Sequence, residues 1–373
     1  MLTIGDIENP ASIIAWWNDR ANERKPYLYQ SIFDLVYSTT DTTKLYFGEE
    51  SKLRMMTATT EDVSSVKLGN RGFESESYSL IPFKNYKGMN EKRRRDINRA
   101  LANNASREEI TAITRTQYND LNDLLAFGYG TREIMAMQAL TTGKIIVNGS
   151  DEEGSNNLVY TRDFHMPDEH KNIQVATEWG TKDSKPLADI QDQMDKISDD
   201  NGTTIGVAFL NGRTFRKLAK SGEIVSTLTD GRTSDGVALS QSAVLSLIEE
   251  TLGIKVVIYN KGIGTNRFIP DDVVVLAPEG SLGRMVWTDT NEDMGLIGDP
   301  TVQLSRTSDG ISIYTDRIHD PVSTLVHVSQ NILPAFDKVR NVMVMNVGEA
   351  SKPQGVTAGT TSDTKSTTDS AKN

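Results

Sequence analysis

The chain has no cysteine, which excludes disulfides, thiolate metal sites and cysteine nucleophiles together. Its stability must come from packing. No window approaches the ~18 apolar residues that a membrane span needs, and Met1 to Pro10 shows no basic region leading into an apolar stretch. Neither secretion nor membrane insertion is expected. Positive charge is also short: 40 Lys and Arg face 51 Asp and Glu, a formal net charge of −11. That balance disfavours tight wrapping of nucleic acid, because such affinity rests on cations that neutralise phosphates. A protein that encloses nucleic acid without gripping it would tolerate the charge.

What is present describes a folded protein. Hydrophobic residues make up 37% and charged residues 24%, which argues against both a disordered chain and a coiled coil. At 373 residues the chain exceeds the roughly 250–300 over which a single core keeps growing, so two structural units are expected.

Read from the start, Asn9-Pro10 opens a short helix carrying Ile13, Ile14, Trp16 and Trp17, because proline suits the first helical position. A second apolar group, with Tyr27, Leu28, Ile32, Phe33, Leu35 and Val36, follows. Neither can bury both its sides, so this end is expected to lie as an arm against something else. From Met55 to Met89 the pattern becomes extended. Val66 and Leu68 lead into Gly69-Asn70-Arg71-Gly72, then Phe73, Tyr78, Leu80, Ile81 and Phe83, and the whole reads as a long hairpin. An isolated two-stranded ribbon is marginal in water, so it too needs a neighbour.

Ser106 with Glu109 has capping-box spacing, and Ile110, Ile113, Leu121, Leu124 and Leu125 recur at helical intervals. A long helix follows, which Gly128 and Gly130 are expected to bend and Gly143 to end. Lys144 to Val147, an Asn148-Gly149 turn and Leu158 to Tyr160 read as strands of a small sheet. Pro186 to Leu276 reads as an α/β unit, with helices from Pro186, from about Thr214 and from Ser240 to Gly253. Its strands are Ile205 to Leu210, Lys255 to Tyr259 and Val273 to Leu276. The strands Ile311 to Ile313 and Val342 to Val347 suggest a return to the earlier domain. Beyond Glu349 the tail is too polar to order itself.

Catalytic and ligand-binding signals are weak. Gly143-Lys144 fails as a phosphate loop, since Gln138 and Ile145 occupy positions that need Gly and a hydroxyl. Gly262-Ile263-Gly264 reads as a turn. Asp289, Asn291 and Asp293 open like a calcium loop, but Met294 and Pro300 stand where it needs Gly and Glu, so a solvated acidic turn is expected. His165, Asp168 and His170 could hold a metal, yet sit around Pro167 on a loop. His319-Asp320 lacks a nucleophile elbow and precedes Pro321. The basic run Lys92, Arg93, Arg94, Arg95 and Arg99 is either a solvated helix face or a contact with a neighbour's acids or enclosed DNA. No cofactor is expected.

Arg132-Glu133 with Met135 to Ile145 resembles the end of the spine helix in the lambda-type major capsid protein family of tailed phages, which has the Hong Kong 97 fold. Thr177-Glu178-Trp179 with Pro186 to Ile190 resembles that family's entry into the axial domain. Phe268 to Asp271, Val273 to Leu276 and Gly280 to Trp287 resemble the exit from it. The resemblance implies an α+β capsid fold with N-terminal arm 1–54, extended loop 55–89, peripheral domain 90–180, axial domain 181–268, return strands 269–348 and flexible tail 349–373.

It further implies a non-enzymatic subunit that assembles through pentamers and hexamers into an icosahedral head around double-stranded DNA, in the virion and, during assembly, in the host cytoplasm. Its partners would include a portal and, in some members, a decoration protein; because no helical charged N-terminal extension is expected to stand in for a scaffold, any scaffold would be a separate protein. Expected contacts between copies are Val66, Lys67, Leu68, Arg71, Phe73, Tyr78, Leu80, Phe83 and Lys84 in the loop, and Trp16, Trp17, Tyr27 and Phe33 in the arm. Arg93, Arg94 and Arg95 would meet the interior or a neighbour. Two other readings are an encapsulin-type shell around protein cargo and a metal-assisted hydrolase built on His165, Asp168 and His170.

Overall fold

The computed structural model describes residues 8–48, 73–89, 91–102, 107–149, 158–229, 231, 239–264, 266–296, 298–299, 302–320 and 322–349. Helix α1 (Pro10–Asp19) starts with the Asn9 side chain accepting from Ala11 N, and Pro10 in its first turn needs no donor there. A short α2 (Tyr29–Ile32) leads to β1 (Phe33–Tyr37), β2 (Thr42–Gly48), β3 (Phe73–Ser79) and β4 (Ile81–Met89). Then come α3 (Glu91–Ala102) and α4 (Arg107–Thr142), the latter about 54 Å long at 1.5 Å per residue. Gly143 ends it at φ +69°, where a side chain would also strike Met166.

The hairpin β5 (Lys144–Gly149) and β6 (Leu158–Asp163) leads to β7 (Ile173–Gln174), α5 (Pro186–Asn201), β8 (Val207–Leu210), α6 (Gly212–Lys220), α7 (Gly222–Leu228), α8 (Gln241–Leu252) and β9 (Lys255–Ile258). The remainder is β10 (Gly262–Ile263), β11 (Asn266–Arg267), β12 (Val273–Ala277), β13 (Gly283–Thr288), α9 (Asn291–Leu296), β14 (Gln303–Arg306), β15 (Ser312–His319), β16 (Val322–Ala335) and β17 (Met343–Asn346).

Two sheets organise these pieces. In the larger, β16 is long enough to pair along one edge with β13 and β15 in succession and along the other with β4. Strand β1 joins β13 in parallel and β14 joins β15, and α4 packs across β16. The second sheet runs β7-β17-β12-β8-β9. Its central strand, Val273 to Ala277, is buried throughout. Val274 and Leu276 face a core formed with Leu187, Ile190, Phe215, Leu218, Val244 and Ile248 from the surrounding helices. Val273, Val275 and Ala277 face the other way, into the core shared with α4 and the larger sheet. An uninterrupted apolar run is what a strand covered on both faces requires.

Several expectations change. Strand β3 pairs with β2, Gly48 opposite Phe73, so the ribbon's first strand comes from the segment read as arm. Residues 49–72, including the Gly69–Gly72 turn, lie outside the described residues. Asn148 and Gly149 pair with Val159 and Leu158 within the hairpin instead of turning it. Helix α4 runs through Gly128 and Gly130 as one element. Gly128 instead permits close approach, since a Cβ there would come within 3.2 Å of Ile311 and its carbonyl accepts from Gln330. The strand from Val342 does not return to the larger sheet; β17 pairs with β12 and β7.

Candidate assembly surfaces

The arm finds its cover on its own chain. Trp16 stacks on Tyr118 at 4.7 Å between ring centroids, and Trp17 stacks on Tyr129 at 5.3 Å. The two tyrosines stand about three helical turns apart and so share a face of α4. Arg20 and Arg24 close each stack from outside, 3.6 Å over Trp16 and 3.5 Å over Trp17. Each tryptophan is thus held between an aromatic face and a guanidinium, both favourable partners for its π surface. Phe33 packs edge-on against Phe336 at 5.8 Å, and Tyr27 lies 3.8 Å beneath the Lys261 ammonium. Of these four expected contacts, Trp17 and Phe33 are buried within the chain, and Trp16 and Tyr27 are half-buried against the same core.

Two adjacent residues of α4 carry the join. Arg132, wholly buried, donates from Nε to Gln330 Oε1 (2.9 Å), from Nη1 to Asp309 Oδ2 (3.1 Å) and from Nη2 to the Asp309 carbonyl (3.0 Å). Tyr129 donates to the same carboxylate at 3.0 Å. Glu133, also wholly buried, accepts from Tyr29 N at 2.9 Å and Leu28 N at 3.3 Å. Burial pushes Glu133 above the ordinary carboxylate range, and the nearby Tyr259 hydroxyl, the two backbone amides and Lys261 offset part of that. Arg132 therefore binds the larger sheet while Glu133 binds the arm and faces the second unit. Both stand in a string that resembles a known helix end, but their partners are too distant in sequence for any local pattern to reveal.

Of the expected loop contacts, Val66, Lys67, Leu68 and Arg71 lie outside the described residues, and Phe73 is placed only by its backbone. Leu80 is buried and Phe83 packs on the core. Lys84 pairs with Glu292 at 2.5 Å, and Tyr78 donates to the Asp163 carbonyl at 3.2 Å. Within the subunit these four hold the base of the ribbon. Ser75, Glu76, Ser77 and Ser79 remain exposed.

On α3, Arg94 donates to Thr324 Oγ1 at 2.5 Å, which fastens the helix to β16. Arg95 is exposed, and of Arg93 only the backbone is described. A groove of about 560 Å³ opens between Glu91, Arg94, Arg95, Asn98, Arg99 and Val322.

The candidate chemistry disperses. His165 is exposed and faces Glu76, Asp168 pairs with Lys171 at 3.1 Å, and His170 is buried. Burial draws the His170 imidazole below its ordinary value, with Lys196 adding to the effect. Among the described residues no group of three or more His, Asp or Glu is placed to hold a metal. The acidic turn is not solvated as expected. Asp293 is buried, accepting from Thr290 N (3.0 Å), Thr290 Oγ1 (3.0 Å) and Ser312 Oγ (2.6 Å), while Asp289 accepts from Tyr37 at 2.7 Å and pairs with Arg306.

An arm clamped to a long helix, a ribbon rooted beside it and two sheets sharing that helix's core compose a shell-building subunit with the Hong Kong 97-type α+β capsid fold. The chain belongs to the phage major capsid protein E family, whose model matches residues 10–344. It is a capsid-forming structural protein that self-assembles, its place is the virion capsid, and it is not an enzyme. Its fold is similar to a crystal structure described as a prophage capsid protein from E. coli CFT073. The TM-score is 0.53 at 15% identity, covering 91% of this chain and 99% of that one. A phage-related protein of Bordetella bronchiseptica RB50 is similar at TM-score 0.49 and 13% identity, covering 92% and 98%. The capsid asymmetric unit of cyanophage A-1(L) is similar at TM-score 0.48 and 11% identity, covering 84% and 90%. No curated protein matches the sequence.

Proposed function

We propose that copies of this chain close into rings of five and six and that these rings build an icosahedral head around double-stranded DNA. The observation that carries this reading is the ribbon. Its described strands β2 and β3 pair only with each other, and Ser75, Glu76, Ser77 and Ser79 along β3 are exposed. A two-stranded ribbon of that kind gains stability by lying on a neighbour. Closed rings need one surface of a subunit to fit a different surface of the next, a heterologous contact that ends because the rotation closes. In this reading residues 1–54 act as arm, 55–89 as loop, 90–180 as peripheral domain, 181–268 as axial domain and 269–348 as strands completing both.

Within the loop, Val66, Leu68 and Phe73 bury apolar area on the neighbour, while Lys67 and Arg71 fix register against its acids. Arg93, Arg94 and Arg95 face a neighbour or the interior. DNA is enclosed without sequence-specific contact, in keeping with the net charge of −11. Assembly takes place in the host cytoplasm with a separate scaffolding protein and a portal as partners, and a decoration protein is a further candidate. The test reverses Lys67 and Arg71 together. Like charges brought together at an interface cost several kcal/mol, so folded subunits that fail to assemble are expected, and normal shells in electron micrographs would refute the role given to the loop. Nucleic acid in wild-type particles supports a genome-enclosing head, whereas protein cargo would identify a compartment shell.

A further inference from the structure

Two exposed helix faces carry charge in the same spacing and opposite sign. On α3, Lys92, Arg95 and Arg99 follow at intervals of three and four, and on α5 so do Asp192, Asp195 and Asp199. All six are exposed. Residues at those intervals share one side of a helix, so each set forms a stripe about 10 Å long. Among the described residues none of the six has an ion-pair partner; Asp195 only accepts from Gln191 at 2.8 Å. Each stripe is aimed by its helix's packing. Arg94 on Thr324 and buried Ile97 hold α3 to the larger sheet, while Leu187, Ile190 and Ile197 bury the opposite face of α5 in the second unit.

We propose that the cationic stripe of α3 on one copy receives the acidic stripe of α5 on the next copy in the ring, a contact that rests on the ring assembly proposed above. Identical copies supply one stripe of each sign per subunit, so every junction in a closed ring is served and none is left over. A protein partner suits α3 better than DNA does. Glu91 and Asp96 interrupt its positive charge, and the matching stripe has the same length and intervals. Electrostatic complementarity of this sort selects partner and register more than it adds affinity.

The experiment uses the full chain in a host where the wild type forms shells. One variant carries Lys92→Glu, Arg95→Glu and Arg99→Glu, a second carries Asp192→Lys, Asp195→Lys and Asp199→Lys, and a third carries all six. Circular dichroism establishes folding, and Gln replaces any reversal that fails it. Loss of the shell peak in sedimentation is expected for each triple variant alone, with recovery in the third. Co-expression of the two triple variants recovers assembly only as alternating, even-numbered rings. Shells at wild-type yield from either triple variant overturn the proposal, as does a folded six-fold variant that stays unassembled. So do normal shells of the first variant that have lost DNA, which would assign α3 to phosphate. A wild type that forms no rings at all would instead defeat the ring reading itself.

Discussion

Replacing Arg132 with methionine tests whether the helix, and not the strand pairing alone, holds the larger sheet in place. The arginine is wholly buried and makes three hydrogen bonds, two of them to Asp309, whose side chain is only 19% exposed. Methionine fills much of the volume but leaves that carboxylate with two neutral donors, Tyr129 at 3.0 Å and Thr307 at 2.6 Å. Stranding one member of a buried pair costs ~3–5 kcal/mol. The residual exposure and the surviving donors place this case near the lower end, about 3 kcal/mol. The assay is denaturant unfolding of unassembled subunits, since association itself raises apparent stability. Adding Asp309→Asn to Arg132→Met should recover part of the loss, with a coupling of ~0.5–3 kcal/mol in the double-mutant cycle. A single-variant loss under about 1 kcal/mol, the worth of an ordinary hydrogen bond, or strict additivity in the cycle would refute the reasoning.

Trp17→Ala should cost ~3–5 kcal/mol, the usual range for an emptied aromatic site, and should expose the arm to limited proteolysis near Arg20 and Arg24; unchanged cleavage kinetics would contradict the clamp. For His170, burial lowers the folded-state value below 6.5, so the folded chain binds fewer protons than the unfolded one as pH falls through that value. Its contribution is complete above pH 6.5 and diminishes below it, so wild type should lose stability relative to His170→Gln between neutral pH and mildly acid conditions in parallel melts. Raising NaCl from about 0.1 M to about 1 M shortens the screening length from roughly 10 Å to 3 Å. Light scattering should then show weaker assembly while subunit stability, which rests on packing and on buried groups that salt screens little, stays nearly constant.

Elements specified by neighbouring residues are legible in the sequence. Pro186 opens α5, Ser240 caps α8 through Ala243 N, and Gly253 ends it at φ +69°. The Val273 to Ala277 run signals a strand covered on both sides, although not that α4 lies behind one of them. Pairing across long loops is not legible. Phe73 to Ser79 alternates well enough to suit more than one partner, and nothing local in it points to Thr42 to Gly48, with which it pairs. Asn148-Gly149 carries a strong turn signal, yet both residues continue the hairpin. The cover that the arm finds on its own chain is illegible for a related reason. Its need for cover can be read from its own residues, but Tyr118 and Tyr129 lie some hundred residues away and look like ordinary members of a helical pattern. Arg132, Glu133 and Asp293 are charged residues whose burial only tertiary partners make tolerable.

Charge is divided between two tasks by exposure. Inside, Arg132 and Glu133 are neighbours of opposite sign that do not pair in the observed network; each is satisfied by a different part of the chain. Because unpaired burial of either is costly, the arrangement penalises any subunit whose arm or sheet is displaced, and so favours one shape. Outside, the ions on α3 and α5 stand in water, where an individual pair is worth only ~0.2–1 kcal/mol. Contacts that weak can release a misplaced copy, and a subunit that makes several of them at once is still retained. A shell of many copies needs both properties, a body that does not bend to fit an error and an edge that can let the error go.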